Sequence, residues 1–328
     1  MIMKRNSTTS KIVTAGVLLI IALAPLLATS EYMVHIGTLI LLWAFVSTAW
    51  AYMARFGLVS LGHGVFLGIG AYIPVMLFNY YGVSPWLGML AGVGAAVLVA
   101  SILGYACFRF GLIGDYFALV TLAMAEVVSL AIVACREVTG GSLGCTLKAS
   151  VGWASFQFDD KRYFYYIIFA FLLLALYIWR LIDKSRMRLA LTAIEESELA
   201  ASSMGVSIIR FKMGITLLSA GLTAMGGVLY AQYVTYINPG TISGVGVSLS
   251  TCFKAILGGM FNIFGPLAGS AIMVSLEEYF RISFDTGFLG VSEIIFGVVL
   301  LVMIIFLPKG IVGSVSEWLN KRFGVARS

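Results

Sequence analysis

The chain has 328 residues, of which 60% are hydrophobic and 11% are charged, and its formal net charge is +6. With a mean hydropathy of +1.00, it carries more apolar surface than a soluble domain buries, which excludes a soluble globular protein and favours one whose surface faces lipid. Basic residues beside anionic lipid headgroups account for the sign of the charge, so no nucleic-acid partner is expected.

Apolar runs long enough to cross a bilayer recur along the chain. A crossing helix needs about 20 mostly apolar residues, and such runs lie at 12–28, 33–53, 58–78, 86–106, 112–134, 163–182, 213–233 and 288–307. The stretch 248–280 is too long for one crossing and is interrupted by Gly258-Gly259 and Gly265-Pro266, which predicts two segments joined by a tight turn. We expect an all-α, polytopic integral membrane protein with about ten transmembrane helices, some of them broken by glycine, forming a single domain over 1–328.

The distribution of basic residues predicts the orientation, because Lys and Arg of short loops tend to stay on the cytoplasmic side. Lys4 and Arg5 near the N-terminus and Lys321 and Arg322 near the C-terminus place both termini inside. The loop 135–162 is then extracytoplasmic and the loop 183–212 cytoplasmic. As an alternative, the run 12–28 after the basic start is a cleaved signal peptide.

Glycine is concentrated inside the predicted spans. Gly62 and Gly64 lie in one such cluster, and Gly258 and Gly259 in another. Small residues allow close helix packing. The alternative is that these glycines break helices that line a pathway, because irregular backbone at membrane depth must be satisfied by protein or water.

Two common signatures of metal-dependent hydrolysis and nucleotide binding are missing. The sequence contains no H-E-x-x-H and no Walker A motif. We therefore predict no catalytic residues, no metal site and no cofactor, and an enzyme is the weakest function class. If transport is driven by ATP, another subunit must bind the nucleotide.

The predicted cytoplasmic loop 183–212 holds nine of the chain's 36 charged residues. Apolar residues recur there at roughly helical spacing, acidic residues occupy another side, and a glycine follows, which predicts a short amphipathic helix that ends at Gly205. Such a helix either rests on lipid headgroups or binds a protein. Because Glu195, Glu196 and Glu198 match an anionic leaflet poorly, a protein partner fits better.

Several motifs together resemble a known family. Glu198, Ala200, Ala201 and Gly205 resemble the E-A-A-x-x-x-G signature of ABC importer permeases, with one extra residue after the glutamate. In order along the chain, the following look like motifs of branched-chain amino acid permeases: SLGHGVFLGIGAY at 60–72, GDYFALVTLA at 114–123, TGG at 139–141, LGG at 257–259, GP at 265–266 and LPKGIVG at 307–313. Leu58 and Lys254 depart from the family pattern, which usually has Gln and an aliphatic residue there.

The resemblance implies a membrane subunit in the bacterial inner membrane. It implies a second, homologous permease, two cytoplasmic ATP-binding subunits and a periplasmic substrate-binding protein that delivers a branched-chain or other hydrophobic amino acid. The coupling helix that contacts the ATPase would then comprise residues 194–205, with Ile194, Glu195, Glu198, Ala200, Ala201, Met204 and Gly205 as its contact residues. Relatives of this family also carry urea or short amides, so the substrate stays open.

Polar residues within or beside the spans are candidates for the translocation pathway. A charge near the bilayer centre costs about 2.5–3.5 kcal/mol on insertion scales, which makes Glu126 the leading candidate for contact with the substrate ammonium group. Alternatively, Glu126 forms a structural pair with Lys254 or contacts His63. Further candidates, which would bind substrate or simply satisfy the backbone, are His63, Thr121, Thr139, Gly140 and Gly141.

A secondary amino acid transporter shares the broken helices and the buried acid, but it needs no Glu-rich cytoplasmic helix. Activity without ATP would favour it. Cys135 and Cys145 bracket the start of the predicted outer loop and would form a disulfide in an oxidising compartment.

Overall fold

The computed structural model describes residues 7–27, 30–150, 152–284, 297–298, 301 and 310–314. Helices dominate these residues: α1 (Ser7–Leu27), α2 (Glu31–Ala54), α3 (His63–Tyr81), α4 (Pro85–Arg109), α5 (Gly114–Ala134), α6 (Arg136–Thr139), α7 (Lys161–Lys184), α8 (Arg186–Glu196), α9 (Glu198–Ser203), α10 (Ile208–Val234), α11 (Pro239–Ile242), α12 (Val245–Gly258) and α13 (Gly265–Phe284). A 3-10 turn covers Gly141–Leu143. Two short strands, β1 (Cys145–Thr146) and β2 (Tyr236–Ile237), pair antiparallel at one end of the bundle.

Within the described residues, seven segments are long and apolar enough to cross a membrane. They are α2, α3, α4, α5, α7, α10 and the stretch from Pro239 to Gly258, which comprises α11 and α12. An all-helical integral membrane fold is therefore confirmed, whereas the predicted number of about ten crossings is not. The predicted span 288–307 lies mostly outside the described residues.

Close contact between α3 and α10 forms the centre of the bundle, with α4 packed against both. A Cβ atom on Gly70 of α3 would lie 2.1 Å from the carbonyl oxygen of Ala224, and one on Gly227 of α10 would lie 2.1 Å from that of Leu67. Glycine at both positions brings the two backbones together, as small residues do between membrane helices. The prediction of tight glycine packing is confirmed at this crossing.

The predicted turn within 248–280 is confirmed. Helix α12 ends at Gly258, and α13 begins at Gly265 after a short irregular connection. Gly259 has φ of +107°, a conformation that L side chains rarely adopt. A Cβ on Gly269 would lie 1.9 Å from the carbonyl oxygen of Lys254, so the two helices of this hairpin also pack through glycine.

Helix α2 is held against α7 by polar contacts at one end. The Tyr52 hydroxyl donates to the carbonyl oxygen of Ala175, and the Arg55 guanidinium pairs with Asp183 at 2.8 Å. The Arg55 guanidinium also lies 4.0 Å from the centroid of the Trp179 ring, a cation–π arrangement. This cluster fixes the end of α2 beside the start of the segment that holds α8 and α9.

At the opposite end, the loop 135–162 folds over α3 and α4. Phe156 is fully buried and stacks on Trp86 with ring centroids 4.1 Å apart. The Asn79 side chain donates to the carbonyl oxygen of Thr146 at 2.9 Å and accepts from the backbone N–H of Lys148. All four cysteines are unpaired, so the structure does not contain the disulfide between Cys135 and Cys145 that the sequence allowed.

Candidate functional site

The charged loop 183–212 folds as two helices, α8 and α9, rather than as the single helix predicted from residue 194 to residue 205. The chain is extended at Ser197, with φ of −162° and ψ of 111°, and the Ser197 side chain accepts a hydrogen bond from the N–H of Ala200. Serine in this position caps a new helix. The prediction of one continuous helix is wrong. The spacing of apolar residues continues across Ser197, but the extended backbone there ends α8 and the Ser197 side chain caps α9.

The predicted stop at Gly205 is confirmed. Gly205 has φ of +81°, and the N–H of Val206 donates to the carbonyl oxygen of Ala201 at 3.0 Å. A left-handed glycine with this bond is a common helix ending. It turns the chain from α9 into α10 within a few residues.

The two helices have distinct inner and outer faces. Ile194 of α8 and Ala201 of α9 are buried against the bundle. The outer side of α9 exposes two large apolar side chains, because Leu199 and Met204 are 81% and 83% exposed, beside exposed Ser202 and Ser203. We call Leu199 and Met204, together with exposed Ala200, the outer face of α9.

Two glutamates of the segment 183–212 have different surroundings. Glu198 forms an ion pair with Lys212 of α10, and the Glu195 side chain lies beside Gly57, where a Cβ would be 3.4 Å from its Cγ. Partial burial and the neighbouring Glu196 carboxylate raise the pKa of Glu195 above its ordinary value. Glu198 therefore points inward, and Glu195 lies at the edge of the segment.

Helix breaks lie near the centre of the bundle. Gly62 is the N-cap residue of α3, so α3 begins later than the predicted span at 58–78. Gly64 lies inside the helix and does not break it, contrary to prediction. A Cβ on Gly64 would lie 2.7 Å from the carbonyl oxygen of Ser243, where the span 239–258 is interrupted between α11 and α12. The predicted breaks at Gly258 and Gly259 are the end of α12.

His63 is a buried packing residue in this structure. It is 1% exposed, and its ring nitrogens contact the Ser60 and Ser219 hydroxyls at 3.2 and 2.8 Å. Thr121 of α5 lies close by, because its hydroxyl oxygen accepts the N–H of Leu61 at 3.0 Å. The structure thus brings two of the predicted pathway residues to the same break, with their polar groups bonded to protein.

Glu126 differs from both. It lies near the middle of α5 and is exposed on the surface of the chain. Lys254 pairs instead with Glu277 at 3.2 Å, and His63 with serine hydroxyls, so the predicted alternative of a structural pair with either residue is wrong. Across the part of the chain that the structure describes, no hydrogen bond or ion pair reaches the Glu126 carboxylate.

Thr139, Gly140 and Gly141 lie away from this break, at the end of the bundle where the loop 135–162 folds. The Thr139 hydroxyl donates to the carbonyl oxygens of Ile132 and Cys135 at 2.7 and 2.9 Å. Gly140 has φ of +79° and lies against Gly144, where a Cβ would be 2.0 Å from its carbonyl oxygen. In this chain, these three residues build the turn after α5.

Comparison with known proteins supplies the family. The family model described as "Branched-chain amino acid transport system / permease component" matches residues 32–308. The chain belongs to this family. It is 28% identical to the high-affinity branched-chain amino acid transport system permease protein LivM of Escherichia coli strain K12, over 94% of this chain and 77% of that protein.

Two other relatives lie at similar distances. The LivM protein of Salmonella typhimurium is 29% identical over the same shares of both chains. The probable permease protein LivH of Methanocaldococcus jannaschii is 25% identical over 77% of this chain and 82% of that protein. No solved structure matches the chain. This permease is a membrane-embedded transporter subunit.

Several residues of the permease site were missed by sequence reasoning. Lys212 and Arg55 bind acidic residues of the 183–212 segment, and Phe108 lies beside Lys212. Each of these basic residues falls at the end of an apolar run, where a charge is ordinarily attributed to the membrane surface. Their burial and partners depend on how the helices pack, which the one-dimensional pattern does not contain.

Proposed function

We propose that this permease imports branched-chain or other hydrophobic amino acids and that ATP hydrolysis by separate subunits drives the transport through α8 and α9. The observation that carries the proposal is the outer face of α9. It presents Leu199 and Met204 at more than 80% exposure on a helix that the chain itself holds in place through Glu198. Exposed apolar side chains next to acids fit a protein partner better than an anionic leaflet.

Of the predicted contact residues, this proposal keeps Glu195, Ala200, Met204 and Gly205, and it adds exposed Leu199. The other three are assigned to holding the segment on the bundle, because Ile194 and Ala201 are buried and Glu198 pairs with Lys212. One ATP-binding subunit would bind this segment, and another would bind the corresponding segment of a second, homologous permease. In this arrangement the 183–212 segment and both termini are cytoplasmic, and the protein lies in the bacterial inner membrane.

The pathway in this proposal runs along the exposed side of α5. That helix is the least buried of the seven spans, with 17% of its most apolar stretch buried against 67% for α10. Glu126 on it would place an unpaired carboxylate in hydrocarbon if this side faced lipid, at a cost of about 2.5–3.5 kcal/mol. A second permease and a water-filled passage beside α5 remove that cost, and the carboxylate can then bind the substrate ammonium group.

The substrate would reach this passage from a periplasmic binding protein at the end of the bundle where the loop 135–162 lies. That end carries Asp159, Asp160, Lys161 and Arg162, which line a polar cleft together with Glu31. Charged groups around a docking surface steer partners and fix their orientation. We propose this cleft as part of the surface that receives the binding protein.

The outer face of α9 is tested by the double substitution Leu199→Asp and Met204→Asp. Two charges on this face should release the ATPase subunits from the purified permease and abolish ATP-dependent uptake into vesicles, while the permease still inserts. The matched control for ATPase binding is Leu143→Asp, which changes an apolar residue of 71% exposure at the opposite end of the bundle and should leave the ATPase bound. Retention of the ATPase by the double variant would contradict the proposal.

Two alternatives have different outcomes in the same vesicles. A permease of this architecture that imports urea or short amides would show ATP-dependent uptake that these compounds inhibit and leucine does not. A secondary amino acid transporter would take up its substrate without ATP or ATPase subunits, and it would ignore the double substitution on α9.

A further inference from the structure

The contact between α9 and the membrane helices passes through one buried cation. Lys212, in the first turns of α10, forms an ion pair with Glu198 of α9. The Lys212 side chain is only 6% exposed, whereas that of Glu198 is 36% exposed. The permease therefore buries the positive member of the pair in the bundle and leaves the negative member on the segment that the ATPase is proposed to contact.

Lys212 also touches α4. Its ammonium nitrogen lies 5.5 Å from the centroid of the Phe108 ring, within the range of a cation–π contact. Phe108 stacks on Phe117 of α5, with ring centroids 5.6 Å apart and an interplanar angle of 22°. One ammonium group thus joins α9, α10 and α4 directly and α5 through the aromatic stack.

A purely structural role explains this arrangement poorly. A buried ion pair is costly to desolvate, and apolar residues of similar size are often equally or more stabilising at such positions. An ammonium group on a flexible stem has another property, because it donates in three directions and keeps some stabilisation from the Phe108 ring when Glu198 moves. Withdrawal of α9 would leave Lys212 buried without its carboxylate, which opposes independent motion of the two parts.

The helices that Lys212 joins also carry the candidate pathway. Helix α5 carries Glu126, and its Thr121 binds the backbone of Leu61 just before α3. Helix α10 crosses α3 at the glycine contact of Gly70 and Gly227. A displacement of Glu198 is therefore connected, through packed groups, to both sides of the central break.

We propose that Lys212 is a positioning residue that transmits the displacement of α9 to α4, α5 and α10, with Glu198 and Phe108 as its two contacts. This inference rests on the proposed function, because it assumes that an ATPase moves α9. In this role, the ion pair sets how much uptake accompanies each ATP hydrolysed, rather than whether the ATPase binds.

The test compares the variants Lys212→Met and Glu198→Gln with wild-type permease, each reconstituted with its ATPase subunits, second permease and binding protein. We expect both variants to keep the ATPase bound and hydrolysing. Uptake per ATP should fall by about fivefold or more, the lower limit of typical coupling between sites. Arg210→Met is the matched control, since Arg210 is an exposed cation two residues earlier in α10.

The double variant distinguishes coupling from simple damage. If Lys212 and Glu198 act as one unit, combining the two substitutions should lower uptake per ATP no further than either alone. Additional loss on adding Phe108→Leu to Lys212→Met would contradict a shared role for the ring. Should Lys212→Met not accumulate, Glu198→Gln decides alone, because its half-exposed side chain tolerates a neutral replacement.

This experiment gives different results if only the role of Lys212 is wrong and if the proposed function is wrong. Unchanged uptake per ATP in both single variants, with wild-type uptake dependent on ATP, would overturn the role of Lys212 alone. A parallel fall of ATPase binding, hydrolysis and uptake would also overturn it, because this pattern indicates a docking or folding defect. Wild-type uptake without ATP would overturn the proposed function and the inference together.

Discussion

Glu126 and Lys254 are both charged residues within membrane-spanning segments, yet their surroundings differ. Lys254 is buried, pairs with Glu277 and lies 4.7 Å from the centroid of the Trp43 ring. Glu126 is exposed on α5 and has no ion pair in the described part of the chain. A charged side chain that has an ion-pair partner in its own chain supports the fold. A charged side chain without such a partner on a membrane span needs contact with water, a ligand or a second protein.

Replacement of Glu126 by cysteine tests whether this side of α5 faces water. In an assembled transporter whose permease lacks its four native cysteines, Glu126→Cys should react with a water-soluble maleimide, because a passage beside α5 brings solvent to it. Leu98→Cys is the control, since Leu98 is 60% exposed on α4 and should face lipid. Equal labelling of the two cysteines would contradict the placement of the pathway, and so would labelling of neither.

The raised pKa of Glu195 makes the stability of the folded permease depend on pH in a definite direction. Partial burial and the Glu196 carboxylate raise its pKa above the ordinary value of about 4.3. An acid with a raised pKa stabilises the folded chain fully below the unfolded pKa, and this contribution is lost as pH rises through the folded pKa.

Glu195→Gln should therefore raise the melting temperature of the isolated permease at neutral pH and leave it unchanged below about pH 4. The measurement is thermal unfolding in detergent across that pH range. Glu196→Gln should give part of the same gain, because it removes the second cause of the raised pKa. A variant that is no more stable than wild type at neutral pH would contradict the assignment.

At the scale of elements, the glycine crossing of α3 and α10 sets the distance between the central helices. Gly70 cannot hold a side chain there, since a Cβ would meet the backbone of Ala224 rather than a flexible side chain. Overpacking of this kind typically costs 1–3 kcal/mol, occasionally more. The helices must separate to relieve it.

Gly70→Ala should thus strongly reduce the folded yield and the melting temperature of the permease. Gly94→Ala is the matched control on α4, because no atom lies within 4 Å of a Cβ at that position. The control should match wild type or exceed it slightly, since alanine favours helix more than glycine does. Similar behaviour of the two variants, measured by size-exclusion chromatography and thermal unfolding, would show that the crossing is not the constraint.

Sequence patterns predicted the elements unevenly. Six of the seven spans followed from apolar length, and the turn between α12 and α13 followed from its glycines and proline, because both are local properties. The seventh span, 239–258, begins before the predicted stretch 248–280. The division of the loop helix at Ser197 was missed, although a serine followed directly by an acidic residue, Glu198, is a signal for the start of a helix. The break between α11 and α12 was also missed, because it is supported by contact with Gly64, which is far away in sequence.

For the whole molecule, the motifs that resemble permeases predicted the family, which the comparison confirms. Individual roles were less accessible, because burial and pairing depend on packing between distant segments. His63 and Thr139 were indistinguishable from ligand-binding residues in sequence, and the structure gives both protein partners. In sequence, Lys212 resembles any other charge of a cytoplasmic loop, and its contacts with α4 and α9 depend on how the helices pack.

On this proposal, the permease moves an amino acid only when separate subunits hydrolyse ATP. We would first measure uptake of radiolabelled leucine into vesicles that contain the permease, the second permease and the ATPase subunits, with the binding protein added. Uptake would be compared in the presence of ATP and of a non-hydrolysable analogue. We expect uptake with ATP and none above background with the analogue. Equal uptake under both conditions would contradict the proposal.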